Sequence, residues 1–245
     1  MLLRRISKHV KDQNWFAVFL DFFIVVVGIL IAFQITNWNE ARSNDRLADS
    51  YYERLASDIR ATISALSADE RSAMKGMAEI EAFTAILNDP NAADDELVST
   101  THAYFTRGLN MTGFNTINAT FEDLSSTGRL EILNNPEVVT ALTRLHTEYK
   151  TLNEDSLVNT DWILPFEASL VEQFDWFRYD ERTTHLFPGK TDQQLAAEIR
   201  GSHDKLRRSA ASHYWFHADI VKDYQHTKKQ AGEVLKMIED KMEKQ

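Results

Sequence analysis

The stretch from Trp15 to Ile35 (WFAVFLDFFIVVVGILIAFQI) constrains this chain more than any other part of it. It has about the 20 residues that an α-helix needs to cross the hydrocarbon core of a bilayer. Asp21 is its only charged residue, and no side chain from Phe22 to Phe33 is polar. Because a helix on a soluble core usually keeps one polar face, the pattern predicts a transmembrane helix.

The flanks of this run favour a retained anchor over a cleaved signal peptide. Trp15 and Trp38 stand at its two ends, as expected for aromatic rings at the level of the lipid headgroups. A signal peptide has a shorter apolar region followed by a small-x-small cleavage site. Here the residues from Gln34 to Glu40 (QITNWNE) follow instead, so we expect the segment to stay in the mature protein.

Charges on the two sides of the anchor predict its orientation. The tail before it carries four basic residues, Arg4, Arg5, Lys8 and Lys11, and the residues after it carry mixed charges. Basic flanks stay cytoplasmic. We therefore expect a cytoplasmic tail (residues 1–14), a transmembrane anchor (15–36) and a periplasmic helical domain (37–245) in a bacterial inner membrane.

The charge and the cysteine content exclude several classes of function. The net charge is −10, and the four basic residues and Asp12 give the tail +3, which leaves about −13 for the rest. An acidic body repels nucleic acid and anionic lipid headgroups, so we expect no nucleic-acid partner. The chain has no cysteine, which excludes disulfides, thiol catalysis and cysteine-bound metals.

Residues that interrupt helices are few, with four prolines and eight glycines, and we expect an all-α fold. The anchor should continue as one helix to about Leu66, where Ser67 to Glu70 (SADE) resembles a capping box that starts a second helix. Further helices are predicted from Asp94 to Leu109, from Ala119 to Ser126, from Asn135 to Leu152 and onward, from Thr191 to Arg200 and from His203 to Lys244. Gly128 should end one of them in a left-handed conformation, and Pro165 should kink a helix or start one.

Two of the helices show a four-three repeat, which predicts a seam for packing on another helix. In the first helix the seam is Ala48, Tyr52, Leu55, Ile59, Thr62 and Leu66. In the last helix it is Ala210, Tyr214, His217, Val221, Tyr224, Lys228, Ala231, Leu235, Ile238 and Met242. We predict that these two helices pack on each other.

Two stretches resemble a known family. Val27 to Ile35 (VGILIAFQI), followed by Asn37 to Glu40 (NWNE), resembles the anchor of an uncharacterised family of bacterial single-pass membrane proteins. Asn115 to Gly128 (NTINATFEDLSSTG) is similar to that family's central segment, although Thr127 separates the serine pair from the glycine. The resemblance implies an inner-membrane protein with a helical extracytoplasmic domain. It implies no activity and no functional residue.

One face of the anchor carries small and polar residues. Gly28, Ala32 and Asn39 fall within about 20° of Asp21 at 100° per residue, so the four residues share one face. Gly28 and Ala32 form a small-xxx-small pair, which lets another helix approach closely. We interpret these four residues as a membrane-helix interface in which Asp21 meets a donor. In the alternatives, Asp21 reaches back to the headgroups, or it carries protons as in single-pass subunits of flagellar and energy-transducing motors.

Other chemistry-bearing residues favour structural interpretations. His213 and His217 lie four residues apart and could chelate a metal. The glutamate of the zinc-protease motif is absent between them, so we interpret them as packing histidines and expect no cofactor. The aromatic residues of the body are expected to form the core, or else to line a ligand pocket. They are Trp162, Phe166, Phe174, Trp176, Phe177, Tyr179, Tyr214, Trp215 and Phe216.

The chain carries no phosphate-binding loop, nucleophile elbow or catalytic-triad pattern, so we expect no enzyme activity. The preferred hypothesis is a membrane-anchored interaction or accessory subunit of a larger inner-membrane complex. Its partners would be the lipid bilayer and an integral membrane protein or a second copy of the chain. The alternatives are a periplasmic ligand-binding sensor that acts through a partner, and a proton-carrying single-pass subunit of the motor type.

Overall fold

The computed structural model describes the backbone of residues 15–109, 113–114, 116–180 and 182–243. The side chains of residues 15–18, 21, 159, 160, 166, 169, 171 and 173 lie outside this description. The chain divides into two compact units, one that ends at Ser50 and one that begins at Tyr51.

The described residues are mostly α-helical, and none of them forms a β-strand, so the predicted all-α fold is confirmed. The α-helices are α1 (Trp15–Leu87), α2 (Asp94–Ala103), α3 (Ala119–Ser126), α4 (Pro136–Gln173), α5 (Asp192–Gly201) and α6 (His203–Met242). A π-helix, Tyr104–Gly108, continues α2, and 3-10 helices cover Leu130–Leu133, Trp176–Tyr179 and Thr184–Leu186.

Helix α1 continues past the position at which the sequence predicts a new helix, so that prediction is wrong. The Ser67 hydroxyl donates to the carbonyl oxygen of Ile63 at 2.7 Å, which is the bond to the preceding turn made by a serine inside a helix. The Glu70 carboxylate accepts from Lys228 of α6 rather than folding back on Ser67. The SADE segment therefore lies inside α1 and contacts α6, and it does not start a new helix.

The predicted seam of α1 is confirmed and extends further along the helix. All six predicted residues are buried, and the repeat continues with buried residues at Ala73, Gly76, Ile80, Phe83 and Leu87. Arg60 pairs with Glu239 at 2.6 Å, and the Tyr214 hydroxyl donates to Glu81 at 2.7 Å. The two helices therefore pack on each other, as predicted, and they are antiparallel, because the partner's number falls as the number in α1 rises.

The buried stripe of α6 differs from the predicted seam at alternate positions. The four-three repeat of buried residues is Leu206, Ala210, His213, His217, Ile220, Tyr224, Thr227, Ala231, Val234 and Ile238. Five of the predicted residues belong to it. At four of the other five positions, the residue before the predicted one is buried, so that His213 replaces Tyr214 and Val234 replaces Leu235. The cause is that α6 packs on α4 as well as on α1, and this second contact shifts the centre of its stripe.

Helix α4 begins as predicted. The Asn135 side chain accepts from the backbone N–H groups of Glu137 and Val138, and Pro136 occupies the first turn. The helix continues through Pro165 to Gln173 without ending there. Glu148 faces His226 at 3.6 Å and Glu167 faces His213 at 2.9 Å, so α4 is antiparallel to α6. From Tyr51 onward, α1, α4 and α6 form the long helices of the core.

Short elements follow their local sequence signals. Helix α3 has the predicted bounds, and Gly128 after it has φ = 68°, the predicted left-handed conformation. Thr191 and Gln194 form the predicted capping box of α5. Beside α2, α5 and the start of α6, a core of apolar residues collects around Phe83, Tyr104 and Phe105.

Candidate functional site

The N-terminal part of α1 is long and apolar enough to cross a membrane. Most of its large apolar side chains from Phe19 to Trp38 are 45–66% exposed, Val26 and Val27 are half-buried, and none of its most apolar stretch is fully buried. Such a surface needs an apolar environment, because exposing it to water is unfavourable.

The predicted small-residue face of the anchor is open where the structure describes it. Gly28, Ala32 and Asn39 are exposed, and a Cβ atom built on Gly28 meets no atom within 4 Å. The side chains of Asp21 and Trp15 lie outside the described residues. So do Arg4, Arg5, Lys8 and Lys11 in full. Trp38 is exposed, and the Arg42 guanidinium lies 5.7 Å from the centroid of its ring.

His213 is buried in the second unit and contacts Glu167, a partly exposed residue. The histidine side chain is only 1% exposed. Nδ1 donates to the carbonyl oxygen of Ser209 at 2.8 Å, and Nε2 lies 2.9 Å from Oε1 of Glu167. Both ring nitrogens face acceptor oxygens, so the ring is held from two sides.

His217 has a different environment. Its Nε2 donates to the carbonyl oxygen of Gly108 at 2.8 Å, at the end of the π-helix, and its Nδ1 is buried without a hydrogen-bond partner. At this position a neutral ring with an unprotonated Nδ1 is favoured over a charged ring, whose Nδ1–H would have no acceptor. Burial is the main cause that lowers the pKa of His217, with nearby His213 acting in the same direction.

The two histidines make hydrogen bonds to different parts of the fold. His213 contacts Glu167 and Ser209, whereas His217 contacts Gly108. Among the described residues, no group of three or more His, Asp or Glu side chains is placed to hold a metal ion. The packing interpretation accounts for both rings.

A cleft of about 580 Å³ opens beside the π-helix. Phe105 and Arg107 line it from the π-helix, Glu167 from α4, and Trp176 and Phe177 from the 3-10 helix that follows α4. Its volume lies within the range of about 300–1,000 Å³ usual for small-molecule sites. π-Helices occur frequently at functional sites, because the extra residue re-aims neighbouring side chains.

The π-helix is held by the core behind the cleft. The Leu109 N–H donates to the carbonyl oxygen of Tyr104 at 3.1 Å, five residues back. The Tyr104 ring stacks on Phe83 at 4.5 Å, and its hydroxyl lies 2.8 Å from Oγ of Ser209. Burial raises the pKa of Tyr104 far above its usual value, so the phenol stays neutral.

Family membership follows from comparison of the sequence with known proteins. The model of a family described as "Family of unknown function (DUF6090)" matches residues 21–157. The chain belongs to this family. The expected resemblance to an uncharacterised family is therefore confirmed. No curated protein and no solved structure matches the chain.

The DUF6090 segment covers only part of the candidate residues. It includes Gly28, Ala32 and Asn39 on the anchor and Arg107 on the π-helix. Glu167 and the two histidines of α6 lie beyond it. The anchor face is thus contained in the family segment, whereas the cleft combines the family segment with the C-terminal part of this chain.

The aromatic residues of the body divide between core and surface. Phe174, Tyr179 and Phe216 are buried, as the core interpretation predicts. Trp176 and Phe177 line the cleft, as the pocket interpretation predicts. Tyr214 is half-buried and bonded to Glu81, and the side chain of Phe166 lies outside the described residues. Neither interpretation holds for the whole set.

A second surface feature is an apolar patch on α4 and α6. It consists of Val158, Trp162 and Trp215, whose side chains are 52–65% exposed. The rings of Trp162 and Trp215 meet edge to face at 5.9 Å and join the two helices. Val158 and Trp162 lie four residues apart, so they share one face of α4, whereas the exposed Leu157 and Leu164 lie on another face.

Sequence reasoning missed Glu167 and Arg107. Glu167 is one acid among several on a polar helix, and only the fold places it against a buried histidine. Arg107 is fixed by Glu79 at 2.7 Å, a partner that is 28 residues away in the sequence. No local pattern marks either contact.

Proposed function

We propose that this protein is a non-enzymatic, membrane-anchored accessory subunit of a larger complex in a bacterial inner membrane. Its N-terminus would be cytoplasmic and its helical body periplasmic, as the basic tail favours. The anchor would associate with an integral membrane protein or a second copy of the chain through Gly28 and Ala32, whose face is open.

The observation that carries this proposal is the apolar patch on the body. Its members are large apolar side chains on the surface of an acidic unit, and two of them are tryptophans. Large exposed patches of this kind mark sites of protein association, and tryptophan is enriched among residues that dominate binding energy. The two seams lend no such support, because α1 and α6 use them to pack on each other.

Photo-cross-linking in membranes of the native host tests the proposal. A photoreactive amino acid replaces Val158 or Trp162 on the patch, and Glu233 on the exposed side of α6 serves as the control position. We expect both patch positions to give the same adduct with one membrane protein, and Glu233 to give none. A monomer that purifies without any membrane protein and gives no adduct would count against an accessory subunit.

A ligand-binding sensor is the second candidate function, and the cleft beside the π-helix favours it. The cleft offers charged and aromatic side chains in a volume suited to a small molecule. The signal would pass to a partner protein. A thermal-shift screen of the full chain in detergent tests this function, because a ligand that binds the folded state raises the unfolding temperature. We expect one class of compounds to stabilise the protein reproducibly.

A further inference from the structure

Two charged side chains of the cleft lining, Arg107 and Glu167, are each held by a neighbouring residue. Arg107 is 48% exposed, and its Nε donates to Glu79 behind it at 2.7 Å. This bond orients the guanidinium through one of its five N–H groups and leaves the Nη groups for a ligand. A planar guanidinium held in this way matches a carboxylate. Arg182 is less suited, because its side chain is 87% exposed and makes three hydrogen bonds to Asp180.

The opposite charge is supplied by Glu167. Buried His213 holds Oε1 of this carboxyl group at 2.9 Å, and the side chain remains 30% exposed at the cleft. The second oxygen is therefore placed to accept from a ligand's ammonium group. Since His213 is fixed in turn by the Ser209 carbonyl, Glu167 is a preorganised acceptor.

The lining of the cleft also includes aromatic side chains. Phe105 is buried, Trp176 is half-buried and Phe177 is exposed, with the last two rings 4.4 Å apart. Aromatic faces of this kind cover an apolar side chain of a ligand. They would not help to bind an inorganic anion, which carries no apolar group.

The lining carries charged side chains of both signs, Arg107 and Arg182 against Glu167 and Asp180, beside His102. A ligand that carries both a carboxylate and an ammonium group is complementary to such a lining. We infer that the cleft binds a small zwitterion, an amino acid or short peptide with an apolar side chain. This inference rests on the sensor function proposed above and names its ligand class.

Calorimetry on the full chain in detergent tests the inference with the dipeptide Phe-Leu as the probe. Two analogues each lack one charge: N-acetyl-Phe-Leu has no ammonium, and Phe-Leu-amide has no carboxylate. We expect saturable binding of Phe-Leu and an affinity at least about tenfold lower for each analogue, because each lacks one charge-assisted contact.

Two substitutions test which side chain of the cleft contacts the carboxylate of the ligand and which contacts its ammonium group. Arg107→Gln should weaken Phe-Leu about tenfold and leave Phe-Leu-amide unchanged, since the amide makes no contact with the arginine. Glu167→Gln should weaken Phe-Leu and leave N-acetyl-Phe-Leu unchanged. Arg71→Gln and Glu172→Gln, at exposed positions away from the cleft lining, are the matched controls and should bind like the wild type. Because the analogue comparison uses wild-type protein, it stands even if a variant does not fold.

The results of these experiments distinguish an error in the ligand class from an error in the sensor function. Equal affinity for Phe-Leu and both analogues, or equal binding by Arg107→Gln and Arg71→Gln, overturns the zwitterion assignment. If succinate or glucose binds in the cleft while Phe-Leu does not, the ligand class is wrong and the sensor function stands. If no compound of the thermal-shift screen and no zwitterion binds, both are overturned.

Discussion

Gly76 is a residue at which the packing of the second unit leaves no room for a side chain. A Cβ atom built there lies 2.9 Å from Nε2 of His217 and 3.3 Å from the carbonyl oxygen of Arg107. His217 cannot move freely, because it is buried and bonded to Gly108. The absence of a side chain at Gly76 is therefore what allows α1, the π-helix and α6 to meet.

Gly76→Ala should destabilise the protein by about 1–3 kcal/mol, as other overpacked positions do. Gly232→Ala is the matched control: this glycine lies inside α6, and its Cβ meets nothing within 4 Å. There, the reduced entropy of the unfolded chain should stabilise the protein by about 0.4–1 kcal/mol. Thermal unfolding followed by circular dichroism measures both, and a gain in stability for Gly76→Ala would show that the contact is not tight.

His217 predicts a pH dependence. Its pKa is lowered in the folded state, chiefly by burial, so the unfolded chain binds a proton more readily. Its contribution to stability is therefore fully present above the unfolded pKa of about 6.5 and is lost as the pH falls through it towards the folded pKa.

His217→Gln isolates this effect. Glutamine can still donate to the Gly108 carbonyl but does not titrate. We expect the unfolding temperature of the wild type to fall more steeply between pH 8 and pH 5.5 than that of the variant. Parallel curves for the two proteins would mean that His217 does not take up a proton on unfolding in this range.

Helix α6 packs on two other helices, and the two contacts together determine which of its residues are buried. The predicted and the observed seams have the same four-three spacing and differ only by one position at alternate steps. His226 and His213 face α4, whereas Tyr214 and Lys228 face α1. The buried stripe lies between these two contacts.

Val234→Ala and Val221→Ala distinguish the two registers with the same chemical change. Val234 is buried in the observed stripe, and Val221 belongs to the predicted seam and is half-buried. Val234→Ala should cost about 2 kcal/mol, from lost burial and the cavity that remains. The cost of Val221→Ala should be about half of that or less. The reverse order in thermal unfolding experiments would contradict the observed register.

For the whole molecule, the anchor and the body offer separate surfaces for association. The anchor presents Gly28 and Ala32, and the body presents its apolar patch and its cleft. Each surface can be altered alone by substitution, so the proposed membrane association, partner binding and ligand binding can be tested independently.

Gly28→Leu should weaken association in the membrane by one to a few kcal/mol, because it holds the helix backbones apart. Ile29→Leu changes little volume on the neighbouring position and should be silent. The readout is disulfide trapping from single cysteines placed at residues 22 to 36 of this cysteine-free chain. Trapping without a helical period, or equal trapping in the two variants, would remove the basis for this interface. Asp21→Asn adds a test of whether the acid acts through its charge or through hydrogen bonding.

The sequence by itself determined the features that depend on contacts within one turn. Asn135 and Thr191 bond to N–H groups two or three residues away, and Gly128 satisfies a local backbone requirement. The apolar length from Trp15 to Ile35 likewise needs no tertiary contact to be recognised. Fold class and most helix bounds followed from such signals.

Only the tertiary structure decided where separate helices meet. The capping pattern at Ser67 failed because Glu70 has Lys228, 158 residues away, as its partner. The register of α6 depends on two neighbours at once, and periodicity along one helix cannot report how many neighbours it has. The cleft joins Arg107, Glu167 and Trp176, which are brought together by the packing of the core, so no spacing in the sequence marks the site.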